Sequence, residues 1–371
     1  MATFGELGVS EELIQGLKEF GINKPTEIQE RAIPYLIEEG KDFVGQAQTG
    51  TGKTAAFGLP ILQRIDPKRA KIQALIVAPT RELGQQIAKH LFKYTKYLTN
   101  KVFIESVYGG EHIAKQMDRL KRPTHVIVAT PGRLMDLVNR KAIDLSEVNT
   151  IVLDEADEML NMGFQPDIEK ILTYPKNSIN LWMFSATIPT EIKEIIANYM
   201  DIDHESVRVD KQNVVNTLIE HQFLTCTIDT KVDLLVEFLK SQGAARGVVF
   251  CKTKAGAQKL ASQIASKNYT SDAIHGDLNQ KERDKVMRAF KNKKLQVLVA
   301  TDVAARGIDI DGLSYVVNYQ IPEQLENYAH RSGRTGRAGK RGISISFILN
   351  NELNLIRQLE RDLNIQIRKI H

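Results

Sequence analysis

The stretch that decides the fold runs from Ala47 to Thr54 and reads Ala-Gln-Thr-Gly-Thr-Gly-Lys-Thr. A short strand pattern at 42–45 precedes it, and a helical pattern from Thr54 to Arg64 follows it. A glycine-rich turn between a strand and a helix directs backbone N–H groups and the positive end of the helix dipole at one anion. Lys53 is expected to reach the β- and γ-phosphates, and the Thr54 hydroxyl to bind Mg²⁺. The pattern therefore predicts a nucleoside triphosphate site.

A second motif follows farther along the chain, where Asp154, Glu155 and Asp157 come directly after the β-rich run 150–153. Such a run is typical of a strand that helices cover on both faces. Open parallel sheets bind their ligands at the carboxyl ends of their strands. Asp154 is expected to hold the Mg²⁺ shell, and Glu155 to orient or deprotonate the attacking water. Alone, an acidic cluster could equally be a solvated turn, but after a phosphate loop it predicts a hydrolytic site.

The length of 371 residues exceeds the usual limit of one hydrophobic core, about 250–300 residues, so two domains are expected. Strand patterns alternate in both halves with segments long enough for crossover helices, which predicts an α/β fold with doubly wound parallel sheets. The predicted strands are 42–45, 72–78, 102–107, 125–129, 150–153 and 181–185, then 221–225, 247–250, 271–274, 296–300, 315–318 and 343–348. Polar residues accumulate from Asp201 to Asn216. We therefore expect domains at 1–207 and 217–371, a linker at 208–216 and a cleft between the domains.

The composition is typical of a soluble globular protein, since hydrophobic residues make up 42% and charged residues 26% of the chain. The sequence contains no apolar run long enough to span a bilayer, and its first residues lack the basic and apolar regions of a signal peptide. We therefore expect a cytoplasmic protein with no membrane partner. Cys226 and Cys251 lack the spacing of metal ligands and are expected to be reduced core residues.

Charge is distributed unevenly along the chain. Of the 50 basic and 45 acidic residues, 24 and 27 fall in residues 1–204, whereas 26 and 18 fall in residues 205–371. A basic second half is compatible with a polyanionic partner. A solvated, lysine-rich surface such as Lys281 to Lys294 would explain the same charge, so the charge alone does not decide between the two.

A third motif lies in the second half, where residues 330–337 read His-Arg-Ser-Gly-Arg-Thr-Gly-Arg. Arginines that are spaced in this way can stabilise the charge on a transferring phosphoryl group. A basic surface turn is the alternative.

Taken in order, these and other short motifs resemble the motif series of the DEAD-box RNA helicases, most closely the bacterial members. The motifs are Phe4, 25–29, 47–54, 79–83, 109–110, 130–133, 154–157, 185–187, 300–309 and 330–337. The resemblance spans nearly the whole chain and implies two RecA-like domains. Ala47, Gly84 and Ser332 depart from the usual wording, but none of these departures removes a catalytic group.

The resemblance implies ATP as the nucleotide and assigns a role to each matching residue. Gln29 would read the adenine edge, Phe4 would stack on the base, and Asp309 would contact the ribose. Alone, Phe4 would more often be a hydrophobic anchor. The phosphates would lie against Gln48, Thr49, Gly50, Thr51, Gly52, Lys53 and Thr54. Arg334 and Arg337 would reach the γ-phosphate. Ser185 and Thr187, together with Asp157, Gln48 and His330, would couple hydrolysis to domain closure.

The resemblance also implies RNA as the partner, within ribosomal or messenger ribonucleoprotein. The matching contacts are Thr80, Arg81, Gly110, Thr130, Gly132 and Arg133 in the first domain, and Gln280, Arg283 and Thr301 in the second. Backbone amides, hydroxyls and arginines suit phosphate and sugar, so they position a strand without reading its bases.

The expected function is that of an ATP-dependent RNA helicase, in which RNA-stimulated hydrolysis opens short duplexes or remodels RNA–protein complexes. Two alternatives remain, a DNA-translocating helicase with the same core and an ATP-dependent RNA clamp that does not unwind. Intact Glu155, Ser185 and Thr187 argue against the clamp. Because the chain stops directly after the second domain, we expect either a minimal member of the family or the core of a longer protein.

Overall fold

The computed structural model describes residues 2–48, 50–176, 179–209, 218–305, 313–322, 325–336 and 340–370. The chain divides into two compact units, Met1–Val209 and Asp210–His371. Most of the predicted linker, 208–216, lies outside the described residues. Each unit is described by itself below.

Within the described residues, the first unit contains one parallel sheet of order β3-β4-β2-β5-β6-β1-β7. Its strands are Phe43–Gln46 (β1), Ala74–Val77 (β2), Ile104–Val107 (β3), Val126–Ala129 (β4), Thr150–Asp154 (β5), Asn180–Ser185 (β6) and Glu205–Arg208 (β7). Its helices are Glu11–Glu19 (α1), Glu27–Glu38 (α2), Lys53–Arg64 (α3), Arg81–Tyr94 (α4), Ile113–Arg119 (α5), Pro131–Asn139 (α6), Ala156–Asn161 (α7), Gln165–Leu172 (α8) and Thr190–Tyr199 (α9), with a 3₁₀ turn at Thr95–Tyr97.

The central strands are buried on both faces, which explains their continuous apolar runs. Ile151 and Leu153 pack into the core on one side of the sheet with Met183. Val152 packs into the core on the other side with Trp182 and Phe184. Successive residues of a strand point to opposite faces, so a strand can alternate between two cores only when helices cover both. The prediction of a doubly wound parallel sheet is confirmed for this unit.

One strand of the first unit was missed by the sequence patterns. Residues 205–208, within the polar segment that we interpreted as the approach to a linker, form β7 and pair with β1 at the edge of the sheet. Only Val207 of this strand is buried, so its sequence carries no apolar alternation. The buried Asp42 carboxylate holds this edge, because it accepts hydrogen bonds from the backbone N–H groups of Leu181 (2.6 Å) and Asp201 (2.7 Å).

The second unit repeats the architecture with a parallel sheet of order β10-β11-β9-β12-β13-β8-β14 over its described residues. Its strands are Ile219–Cys226 (β8), Gly247–Cys251 (β9), Ser271–Ile274 (β10), Val297–Thr301 (β11), Tyr315–Asn318 (β12), Gly342–Leu349 (β13) and Arg368–Lys369 (β14). Its helices are Lys231–Ser241 (α10), Lys254–Ser266 (α11), Gln280–Lys291 (α12), Asp302–Ala305 (α13), Leu325–Ser332 (α14) and Leu353–Leu363 (α15), with a 3₁₀ turn at Asn350–Glu352. The parallel sheet is confirmed here too, whereas β14, which is short and exposed, was not predicted.

Candidate functional site

The glycine-rich loop lies between β1 and α3, and the start of α2 supports it. Gly52 has φ +94°, in the left-handed region that favours glycine. Its carbonyl accepts a hydrogen bond from Gln29 Nε2 at 2.9 Å. Gln29 Oε1 in turn accepts from the backbone N–H of Thr26 at 3.0 Å. The buried Gln29 amide therefore connects the loop to the start of α2, where adenine recognition is predicted.

The side chains of the loop hydrogen-bond to the loop itself. The Thr26 hydroxyl donates to the Thr51 carbonyl at 2.7 Å, and the Thr51 hydroxyl donates to the Gln48 carbonyl at 2.8 Å. Lys53 is 6% exposed, and its Nζ donates to the Ala47 carbonyl at 3.0 Å. Lys53, which is expected to bind phosphate, therefore hydrogen-bonds to the first residue of the loop. Thr49 lies outside the described residues.

Thr26 and Phe4 are two further residues that bear on the predicted adenine site. Thr26 was not predicted as a site residue, although its spacing to Gln29 is that of a capping box, which the structure contains. Phe4, predicted to stack on the base, is 3% exposed and packs in the core of the first unit. That burial is what the hydrophobic-anchor alternative expects.

The acidic motif lies at the carboxyl end of β5. Asp154 is 2% exposed, and burial raises the pKa of its carboxyl well above the usual range, while the charge of Lys53 opposes this rise. Asp154 Oδ1 accepts a hydrogen bond from the backbone N–H of Glu155 at 3.1 Å. Glu155 has φ +53° and ψ +51°. This left-handed conformation costs a residue with a Cβ about 1–3 kcal/mol, and such strain concentrates at functional sites.

The oxygen donors of Asp154 and Thr54 fit a Mg²⁺ ion, which prefers hard oxygen ligands and retains several waters. Thr54 is half-buried in the first turn of α3. In the part of the chain that the structure describes, no group of three or more His, Cys, Asp and Glu side chains could hold a metal ion. The donor set therefore suits an ion that is completed by water and by a phosphate, rather than one held by protein alone.

The residues predicted to couple hydrolysis to motion form a connected group in the first unit. The Asp157 backbone N–H donates to Ser185 Oγ at 3.2 Å. Asp157 Oδ2 accepts from the Thr187 backbone N–H at 2.9 Å and from its hydroxyl at 2.8 Å. The Ser185 carbonyl accepts from the Ala47 N–H at 2.9 Å. The acidic motif is thereby linked to the phosphate loop through the end of β6.

The predicted RNA contacts of the first unit lie at two helix ends and a turn. Thr80 caps α4 and accepts from the Leu83 N–H at 3.3 Å, and the Arg81 guanidinium lies 4.5 Å from the centre of the Tyr108 ring. Arg133 Nη1 donates to the Glu111 carbonyl at 3.0 Å. The remaining members are Thr130 before α6, Gly132, and Gly110 with φ +86°. Helix N-termini with such residues suit phosphate oxygens.

The order of strands separates these residues into two groups along one edge of the sheet. The neighbouring strands β3, β4 and β2 are followed by the predicted RNA contacts, and the neighbouring strands β5, β6 and β1 by the predicted ATP and coupling residues. Carboxyl ends of parallel strands lie at the same edge, so the two predicted groups occupy separate halves of that edge. Along the chain, by contrast, the whole RNA group lies between the ATP residues that follow β1 and those that follow β5 and β6.

In the second unit, the predicted RNA contacts follow the neighbouring strands β10 and β11. Gln280 Nε2 donates to Asp284 Oδ1 at 2.7 Å, and Arg283 Nη2 donates to the Ala304 carbonyl at 2.8 Å. Thr301 is 6% exposed at the end of β11. His330 and Arg334 are half-buried in α14 and the turn after it. Asp309 and Arg337 lie outside the described residues.

The model of the DEAD/DEAH box helicase family matches residues 26–195, and that of the helicase conserved C-terminal domain matches residues 230–339. The DEAD-box ATP-dependent RNA helicase CshA of Bacillus cereus is 44% identical over 361 residues, which is 97% of this chain and 68% of that protein. The chain belongs to the DEAD-box ATP-dependent RNA helicases. The CshA helicase of Listeria monocytogenes is 45% identical over 362 residues, which is 97% of this chain and 68% of that protein.

Solved structures of this helicase family match the whole chain. Dbp5 of S. cerevisiae, bound to RNA and ADP BeF3, has a TM-score of 0.90 and 31% identity, covering 100% of this chain and 96% of the chain in that structure. Mss116p, bound to ssRNA and AMP-PNP, has a TM-score of 0.88 and 29% identity, covering 100% of this chain and 80% of that one. None of the helices within the described ranges combines the length and the apolar character that a bilayer crossing requires.

Proposed function

We propose that this DEAD-box helicase hydrolyses ATP in response to RNA, and that turnover opens short RNA duplexes or remodels RNA–protein complexes. The observation that carries the proposal is the divided carboxyl edge of the first sheet, with phosphate-binding chemistry beside β1 and β5 and strand-binding chemistry beside β2, β3 and β4. Dbp5, a relative of similar structure, binds RNA together with ADP BeF3.

In the proposed reaction, Lys53 transfers its hydrogen bond from the Ala47 carbonyl to the β- and γ-phosphates. Mg²⁺, held by Thr54 and Asp154 partly through water, would neutralise charge on the phosphates. Glu155 orients the attacking water, and its backbone N–H hydrogen-bonds to Asp154 Oδ1. Arg334 and Arg337 stabilise the charge that develops on the γ-phosphate.

We propose that RNA binds through its phosphates and sugars. Thr80, Arg81, Thr130 and Arg133 are polar or cationic groups at helix ends, which suits the phosphates and sugars of a strand. Affinity for single-stranded RNA should therefore fall steeply with salt and vary little with sequence. The natural target, within ribosomal or messenger ribonucleoprotein, would be chosen by accessibility rather than by base reading.

The test measures ATP turnover without nucleic acid, with single-stranded RNA and with single-stranded DNA of the same sequence. Stimulation by RNA alone is expected, because the 2′-hydroxyl distinguishes the two polymers. Equal stimulation by DNA would favour the DNA-translocating alternative. A duplex with a single-stranded flank tests strand opening in the same solution, and binding without opening would favour the RNA clamp.

A further inference from the structure

Arg331 is a buried cation between two residues of the proposed catalytic machinery. It lies in α14, directly after His330 and three positions before Arg334. Its side chain is 2% exposed, so it cannot itself contact ATP or RNA. A fully desolvated arginine in this position requires an explanation other than direct ligand binding.

The Arg331 guanidinium is held by hydrogen bonds to α13, to the end of β12 and to the loop that follows β12. Its Nε and Nη2 donate to the two carboxylate oxygens of Asp302 at 2.5 and 2.6 Å. Its Nη1 donates to Asn318 Oδ1 at 3.1 Å and to the Gln320 carbonyl at 2.7 Å. The Phe250 ring lies 5.0 Å from its central carbon. This geometry fixes the plane of the guanidinium and therefore the position of α14 relative to α13 and the end of β12.

Asp302, the ionic partner, adjoins the proposed RNA contacts. It is the first residue of α13 and follows Thr301 directly. At the other end of α13, the Ala304 carbonyl accepts a hydrogen bond from Arg283. The short helix that holds Arg331 is thus bounded by two residues that are proposed to bind RNA.

On the other side, Arg331 adjoins the segment that carries the proposed ATP contacts. The backbone N–H of Arg334 donates to the Arg331 carbonyl at 3.1 Å. Asp302, His330, Arg331 and Arg334 line one cavity of about 20 Å³. A shift of α13 on binding RNA would therefore be transmitted through the rigid ion pair to His330 and Arg334.

Stability alone explains this pair poorly. Removing the Arg331 charge from water is costly, while the Asp302 side chain stays 25% exposed. Well-packed apolar residues of similar volume often replace a buried ion pair with no loss of stability. The fixed geometry of a bidentate pair offers what apolar packing lacks, a defined orientation of one element on another.

We propose that Arg331 and Asp302 are positioning residues that transmit RNA binding at Thr301 and Arg283 to His330 and Arg334, and so set the stimulation of ATP hydrolysis by RNA. The inference rests on the proposed function. It adds a coupling device within the second unit to the Asp157 and Thr187 contacts of the first.

The test uses the double variant Asp302→Leu/Arg331→Met, which removes both charges at similar volume, and the single variant Arg331→Lys, which keeps the charge but loses the bidentate geometry. In both, kcat with saturating RNA should fall about tenfold or more. The KM for ATP should change by less than about threefold, because Gln29 and Lys53 are untouched. Both are assayed in the full chain, below the thermal midpoint of each protein.

The control variant is Leu235→Ala, a truncation in a core of the second unit that does not involve the residues holding Arg331. It should lower the thermal midpoint and retain the stimulation by RNA. The proposal is overturned if the folded double variant keeps kcat with RNA within about twofold of the wild type. If the double variant does not fold, the same criterion applies to Arg331→Lys. An unstimulated wild-type protein would instead refute the proposed function, on which the inference depends.

Discussion

The phosphate loop offers a matched pair of substitutions in which backbone strain can be separated from side-chain contact. Gly50 and Gly52 both have positive φ, +80° and +94°. A Cβ added at Gly50 would meet nothing within 4 Å, whereas one at Gly52 would lie 2.4 Å from Gln29 Nε2 and 3.0 Å from Thr26 Oγ1. Alanine at either position is strained, but only at Gly52 must the buried Gln29 move.

The expected magnitudes follow from these contacts. The left-handed conformation costs alanine about 1–2 kcal/mol, which is the expected loss for Gly50→Ala. Gly52→Ala should lose the same amount plus about 1 kcal/mol for the Gln29 hydrogen bond and a further cost for the clash, about 2–4 kcal/mol altogether. Displacing Gln29 should also weaken ATP binding, whereas Gly50→Ala should weaken it less.

A double-mutant cycle measures the contact directly. Urea unfolding gives the free energy of unfolding of wild type, Gly52→Ala, Gln29→Ala and the double variant, and a fluorescent ATP analogue gives the affinity. In the Gln29→Ala background the clash with Gln29 disappears and only the closer-than-usual approach to Thr26 Oγ1 remains. Gly52→Ala should then cost little more than the backbone strain, with a coupling energy of about 1–2 kcal/mol. Additive losses, or equal losses at Gly50 and Gly52, would refute the argument that Gln29 positions the loop.

Lys53→Ala should abolish ATP binding, because the lysine is the cation at the proposed phosphate position. Glu155→Gln, by contrast, should bind ATP and RNA together without turnover. Equal loss of ATP-dependent RNA binding in both variants would contradict this division of roles. Replacing Ser185 and Thr187 by alanine removes two of the hydroxyls around Asp157. The double replacement should weaken duplex opening more than ATP hydrolysis. If both rates fell by the same factor, these residues would not couple hydrolysis to duplex opening. Burial of His221 lowers its pKa from 6.5 to about 4. Between pH 4 and pH 6.5 the unfolded state therefore binds one more proton at this residue than the folded state does. The free energy of unfolding should therefore fall as the pH drops from 6.5 to 4, by up to about 3 kcal/mol. His221→Asn should lack this component in urea titrations across that range, and identical pH profiles would show that His221 is not the titrating group.

The sequence by itself determined the features that depend only on residues close together in the chain. The loop from Ala47 to Thr54 carries its glycines, lysine and threonine in a fixed local spacing, and central strands such as 150–154 are recognisable because both of their faces are buried. Two edge strands, β7 and β14, escaped recognition for the same reason, whereas β3 and β10 at the opposite edges were predicted. The strands 205–208 and 368–369 expose most of their residues, so neither produces an apolar pattern, and only pairing with β1 and β8 makes them strands.

Only the tertiary structure decided which residues act together. The separation of the predicted ATP and RNA residues along the first sheet edge depends on the strand order β3-β4-β2-β5-β6-β1-β7. Crossover connections set this order, and no local pattern records it. The same holds for the contact of Gln29 with Gly52 and for the burial of Arg331 against Asp302. Each pairs residues that are distant in the chain. An arginine beside a histidine looks the same in a sequence whether it faces solvent or is buried against a carboxylate. The chemistry of this protein was therefore readable from short motifs, whereas their assembly depends on long-range packing, because burial and contact belong to the folded chain as a whole.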